Sequence, residues 1–245
     1  DTCPHCAAGS TTPAVTGPQD ALASSATITT STAGFQTVTS STGKNQDIID
    51  TLLLGTKWDI DTNGGESLSY SYYNPATGGY DPNYGARGGL PVVNAPAAVN
   101  SIDASNETNL NKMFQLWDDV LDINFAEVTE SGGSDAVGEL RVAFTDQSSG
   151  AAAFAYQPGG SAVNGDIWFE TEDIGAFNPT GIGSDGFGFS AALHEVGHAI
   201  GLSHPFDQSS VTNATLPAAD DIDRNTLMSY TNTDRNLLLV VNETV

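Results

Sequence analysis

Cysteine is scarce in this chain of 245 residues, and its two cysteines both fall in Cys3-Pro4-His5-Cys6. That spacing closes no long loop, so the fold does not depend on disulfides. Basic residues are scarce too: 7 Lys and Arg stand against 30 Asp and Glu, a formal charge of -23. Such a surface repels phosphate backbones and anionic lipid, which argues against a nucleic-acid or membrane-surface partner. No window approaches the roughly 18 consecutive apolar residues of a membrane span. Asp1 to Gly9 lack a basic stretch followed by an apolar one, so no signal peptide shows; a processed or trimmed chain would read the same way. Internal repeats are missing, including the nonapeptide GGxGxD pattern that binds calcium.

What is present suffices for a sizeable core, since 39% of the residues are hydrophobic. Residues 1–45 are rich in Ser, Thr, Ala, Gly and Pro and read as a flexible arm, leader or propeptide-like segment. The texture changes from Lys44, and 46–245 reads as one domain. Asp47–Leu54 predicts a short helix ended by Gly55. Ser67–Tyr73 alternates and predicts a strand. Asn74–Pro96, dense in Gly, Pro and Asn, predicts a long loop. Leu110, Met113, Phe114, Trp117, Val120 and Leu121 fall on one stripe and predict an amphipathic helix over 106–121, its stripe facing the core. Strands are expected at Asn124–Val128, Glu139–Phe144, Ala152–Tyr156 and Asp166–Phe169. A loop over Gly175–Gly186 follows, then a helix over Phe189–Ile200.

Three of the four histidines lie in His194-Glu195-Val196-Gly197-His198-Ala199-Ile200-Gly201-Leu202-Ser203-His204. Residues four apart share a helix face, so His194 and His198 can point at one metal ion. Gly201 lets the chain leave the helix through a conformation costly for any residue with a β-carbon, and that turn can bring His204 round as a third ligand. Three neutral imidazoles leave one position of a tetrahedral zinc ion for water, as a catalytic site requires. Glu195, next to the first ligand, is placed to take a proton from that water and deliver it to a leaving amine. Buried, hydrogen-bonded core histidines are the bland alternative, but that needs ligand spacing, Glu and Gly to coincide by accident.

The string HExxHxxGxxH is the metzincin pattern. Leu193–His204 followed by Pro205, with Leu227-Met228-Ser229-Tyr230 downstream, resembles the serralysin group of metzincins, secreted bacterial metalloproteases of peptidase family M10. The likeness extends through Leu52–Trp58, Ser67–Tyr70, Phe114–Val128, Phe154–Gly159 and Gly165–Phe169, and so covers about Asp47 to Tyr230. It implies an α+β fold: a five-stranded twisted mixed sheet, a backing helix, an active-site helix and a small C-terminal lobe after Gly201. It implies zinc held by His194, His198, His204 and Tyr230, Glu195 as general base, and Met228 in a turn beneath the metal. Tyr230 would also swing away to hydrogen-bond the oxyanion formed during attack. Ala152, Ala153 and Phe154 would lie on the sheet's edge strand and bind an extended peptide by strand addition, giving broad proteolysis. A secreted, extracellular, monomeric endopeptidase is the expectation.

Two features depart from that family. Its members continue after the Met turn into a helix and calcium-binding repeats, whereas this chain runs out in Leu237–Val245, so calcium dependence has no support here. They also rarely contain cysteine. Cys3 and Cys6 resemble a thiol-oxidoreductase motif but lack its βαβ context. As soft ligands on a long arm, Cys3, Cys6 or His5 could reach the open zinc position and hold an enzyme latent; a local disulfide or an incidental tail is the simpler reading. A zinc-containing module with only an adhesive or structural role is the rival to the protease, and Glu195 argues against it. Asp220-Asp221-Ile222-Asp223 reads as a solvated acidic loop in preference to a calcium site.

Overall fold

The computed structural model describes residues 34–37, 46–60, 67–74, 99–121, 123–130, 137–145, 152–160, 164–170, 187–209 and 211–231. Cys3, His5 and Cys6, nearly all of the loop expected over Asn74–Pro96, and the loop expected over Gly175–Gly186 lie outside these residues. In chain order the elements are β1 (Gly34–Thr37), α1 (Gln46–Leu52), β2 (Thr56–Asp59), β3 (Ser67–Tyr72), β4 (Val99–Asn100), α2 (Ala104–Asp118), β5 (Asn124–Glu127), β6 (Leu140–Thr145), β7 (Ala153–Ala155), β8 (Ile167–Glu170) and α3 (Phe187–Ile200).

The main sheet runs β5-β3-β6-β8-β7. β3 is parallel to both β5 and β6, β6 is parallel to β8, and β7 alone on this path is antiparallel. β3 pairs with β6 from Leu140 to Val142, and the short β4 then takes Phe144 and Thr145 antiparallel. Every residue of the central strand β6 is buried, as a parallel strand covered on both faces should be. One of them is Arg141, whose charge is met by Glu130: Nε to Oε1 is 2.7 Å and Nη2 to Oε2 is 2.8 Å. Ser71 Oγ and the Asn74 N–H also donate to this carboxylate, so the buried pair ties the chain after β5 to β3 and β6.

α2 begins where Asp103 accepts from the N–H groups of Ser105 and Asn106, satisfying two donors that the helix itself leaves free. Leu110, Met113 and Phe114 are buried, with Phe114 stacked on Tyr70 of β3 at 3.9 Å between ring centres. This backing helix stops at Asp118, short of the expected Leu121. Val120 therefore leaves the stripe: it sits in the closing turn, 72% exposed, its N–H donating to Trp117 O. The apolar periodicity continued past the point where the helix ended. The remaining expected strands and the helix over Phe189–Ile200 form with ends shifted by one or two residues.

β1 is an element that the composition of 1–45 gave no sign of; it pairs antiparallel with β2, Phe35 opposite Trp58. Beyond α3 the chain from 202 to 231 forms turns, with no helix or strand among its described residues. The α1–β2 region braces it. Leu52 O accepts from Ser203 N–H, Leu53 O from Ser209 Oγ, and Asp50 O from Thr212 Oγ1. Trp58 Nε1 donates to Ala199 O in the last turn of α3.

Candidate active site

α3 packs against α2 and β7, and Trp117 of α2 donates its indole N–H to Leu193 O. His194, Glu195 and His198 are all buried on it. The helix ends at Gly201, with φ +115°, and a β-carbon there would meet Thr56 O at 2.6 Å. Only glycine fits both the torsion and the space. The reversal delivers His204, also buried, to the two helical histidines.

The three Nε2 atoms converge. His204 Nε2 lies 3.2 Å from that of His194 and 2.9 Å from that of His198. Each Nδ1 faces an acceptor: Leu227 O for His194, Leu202 O for His198 and Asp207 Oδ2 for His204, at 2.9, 2.8 and 2.9 Å. A carbonyl or carboxylate oxygen only accepts, so each ring carries a proton on Nδ1, which in a neutral imidazole leaves the lone pair on Nε2. Three lone pairs aimed at one another repel unless a cation lies among them. A tetrahedral zinc ion at about 2.0–2.1 Å from nitrogen would space its ligands by about 3.3 Å, close to what is found. Among the described residues this is the one group of three or more His, Cys, Asp or Glu donors close enough to share an ion. The donor set fits zinc.

Burial, then the neighbouring His204, pushes the His194 imidazole down to about 3, against the opposing bond from Leu227 O. His198 falls well below its ordinary value through burial, then His194 and His204. Both rings are thus neutral at physiological pH, the form that binds metal.

Met228 lies under the helix. It is 1% exposed, and a β-carbon on Gly197 would meet its Sδ at 2.7 Å. The turn that carries it is closed by Ser229 N–H to Thr226 O and by Met228 N–H to Thr226 Oγ1. Tyr230 comes round from this turn, its hydroxyl 2.6 Å from His204 Nε2. Glu195 is 1% exposed, adjacent to the first ligand. Ala152, Ala153 and Phe154 lie at β7, which packs against α3, all with buried side chains. β7 ends the sheet's path. Glu170 N–H to Ala152 O and Tyr156 N–H to Asp166 O mark the residues bonded to β8, so by ladder alternation Ala153 and Ala155 turn their backbone groups outward.

The spacing of histidines did not reveal the groups that hold them. Leu227 O, Leu202 O and Asp207 gave no signal of their own, although Asp207, three residues beyond His204, stands near enough in sequence to be sought. Phe206 was missed as well: 38% exposed, it stacks on His204 at 4.8 Å and 8° and packs beside Tyr230.

The sheet, the two helices and the three-histidine centre define a metzincin-type metal site. Residues 92–234 match the family model Peptidase_M10, matrixin, and the chain belongs to that metallopeptidase family. It is similar to serralysin of Photorhabdus sp. (strain Az29), 34% identical over 46% of this chain and 23% of that protein. It is 29% identical to metallopeptidase AprA of Pseudomonas marginalis over 73% of this chain and 36% of AprA. Matrix metalloproteinase-18 of Xenopus laevis is 30% identical over 48% of this chain and 25% of its own length. The chain thus spans about a third or less of the curated relatives it matches.

Proposed function

We propose that residues 46–245 form the catalytic domain of a secreted zinc endopeptidase, with 1–45 as an arm whose β1 pairs with β2 of that domain. The observation that carries this reading is the convergence of three Nε2 lone pairs beside a buried glutamate. His194, His198 and His204 would hold the ion, with the Tyr230 hydroxyl within reach as a further ligand. Zinc, when bound, supplies Lewis acidity, polarising a carbonyl and acidifying water.

The chain's own groups do the rest. The carboxylate of Glu195 takes a proton from the attacking water and passes it to the leaving amine nitrogen. The Tyr230 hydroxyl donates to the oxygen of the former carbonyl as charge builds there. An extended peptide adds to the outer edge of β7, through the backbone groups of Ala153 and Ala155. Because this binding reads backbone, cleavage is broad in sequence. The formal charge of -23 disfavours nucleic acid or anionic lipid as a partner, and no described helix is long and apolar enough to cross a membrane. Extracellular location and a monomeric state are part of the proposal; similarity to serralysin supports the former.

The test is casein hydrolysis by the parent and by Glu195→Ala, with and without a chelator. Glu195→Ala should keep its zinc and lose about 10²- to 10⁴-fold in rate. The chelator should abolish hydrolysis by the parent, and added zinc should restore it. Bound zinc without cleavage under any condition would point instead to a structural or adhesive module.

A further inference from the structure

Two of the three metal-binding histidines stand on α3, where the helix fixes their backbone. His204 has no such support, because it lies on the irregular chain beyond Gly201. Its ring is fixed from the residues that follow. Phe206 stacks on one face of the imidazole. Asp207 N–H donates to His204 O at 3.2 Å, closing a tight turn, and Asp207 Oδ2 accepts from His204 Nδ1 at 2.9 Å. The other two rings give their Nδ1 protons to neutral carbonyls. Among the three, His204 alone gives its proton to a carboxylate.

Resting on the reading of this site as a zinc centre, we propose that Asp207 is the positioning residue of the third ligand. Its carboxylate keeps the proton on Nδ1 and the lone pair of Nε2 aimed at the metal. The competing tautomer carries the proton on Nε2, where His198 Nε2 at 2.9 Å or the Tyr230 oxygen at 2.6 Å would accept it. That tautomer cannot bind the ion. A carboxylate oxygen at Nδ1 opposes it, because that oxygen accepts the proton that the Nδ1 tautomer carries. The ring is 6% exposed and the Asp207 side chain 42%, so the carboxylate stays hydrated while its partner is dry. The charge thereby avoids the desolvation that a buried partner would suffer.

The test uses the full chain without metal and measures zinc affinity by competition with a chromophoric chelator. Parent, Asp207→Ala, Asp207→Asn and Asp220→Ala are compared. Asp207→Ala should bind zinc about 10- to 100-fold more weakly, the usual loss when the partner of a ligating histidine is removed. Asp207→Asn keeps an acceptor oxygen and should recover part of that loss. Asp220→Ala removes one exposed carboxylate and should stay within about twofold of the parent. An Asp207→Ala affinity equal to that of Asp220→Ala would overturn the assignment. Nitrogen-15 NMR of the histidine rings in the metal-free parent supplies a readout that needs no variant: a proton on His204 Nδ1 is expected, and one on Nε2 would overturn the proposal. If the parent binds zinc no better than His194→Ala, the zinc-centre reading itself fails. If the parent binds tightly and only the Asp207 variants are unaffected, that reading stands and the role of Asp207 falls.

Discussion

The sulfur of Met228 lies against the backbone of Gly197, so close that a methyl group on residue 197 would sit 2.7 Å from it. Gly197 lies between the two histidines of α3, immediately before His198, and Met228 follows Leu227, whose carbonyl holds the His194 ring. One contact therefore sets the height of the helix over the turn that orients the His194 ring. Gly197→Ala should overpack this contact and lower stability by about 1–3 kcal/mol. Met228→Leu should cost less than about 1.5 kcal/mol, being nearly volume-conserving. Thermal melts of the two single variants and the double variant check this, and coupling between the sites is expected because the groups touch.

Gly201 presents a related constraint at the helix end. Its φ of +115° and the 2.6 Å approach to Thr56 O leave no room for a side chain. Gly201→Ala should cost about 1–3 kcal/mol in strain. It should also weaken zinc binding, because the same reversal delivers His204. Melting temperature and zinc content after dialysis report both effects; full zinc retention with an unchanged melt would refute the prediction.

Tyr230→Phe removes the hydroxyl that stands 2.6 Å from His204 Nε2. If that hydroxyl stabilises the oxyanion, kcat on a peptide substrate should fall about 10²- to 10³-fold while KM changes little. A rise in KM with kcat intact would assign Tyr230 to substrate binding instead.

Acid should find the Glu130–Arg141 pair. Burial pushes the Glu130 carboxyl up, but the bond and charge of Arg141, with help from Asn74 N–H and Ser71 Oγ, outweigh it and hold the group below its ordinary value. A carboxyl depressed in the folded state stabilises the fold above its unfolded pKa of about 4.3, and that contribution is lost as pH falls through the folded value. Denaturation followed from pH 6 downward should show stability falling below about pH 4.5, with a shallower fall in Glu130→Gln. Arg141→Met, which strands the carboxylate in the core, should cost about 3–5 kcal/mol at neutral pH.

The three converging histidines were legible because their geometry is local. Histidines four apart share a helix face, and a glycine after the helix permits the reversal to His204. The stripe of α2 was legible for the same reason as far as Trp117. It misled at Val120, where apolar spacing continued after the helix had closed. Met228 and Tyr230 were found through resemblance to a family, since a lone methionine and tyrosine far from the histidines carry no local signal.

Other relationships join residues that neighbour one another only in the folded chain. The Leu227 carbonyl on His194, the Thr56 carbonyl under Gly201 and the Glu130 carboxylate on Arg141 are of this kind. Chain order by itself determined which side chains could be ligands and which residue could bend between them, because helical periodicity and glycine torsions act over a few residues. Tertiary structure alone decided that the Leu227 carbonyl sits behind the His194 ring, and so which nitrogen of that ring keeps its proton, because a partner brought in from a distant segment depends on how the segments pack.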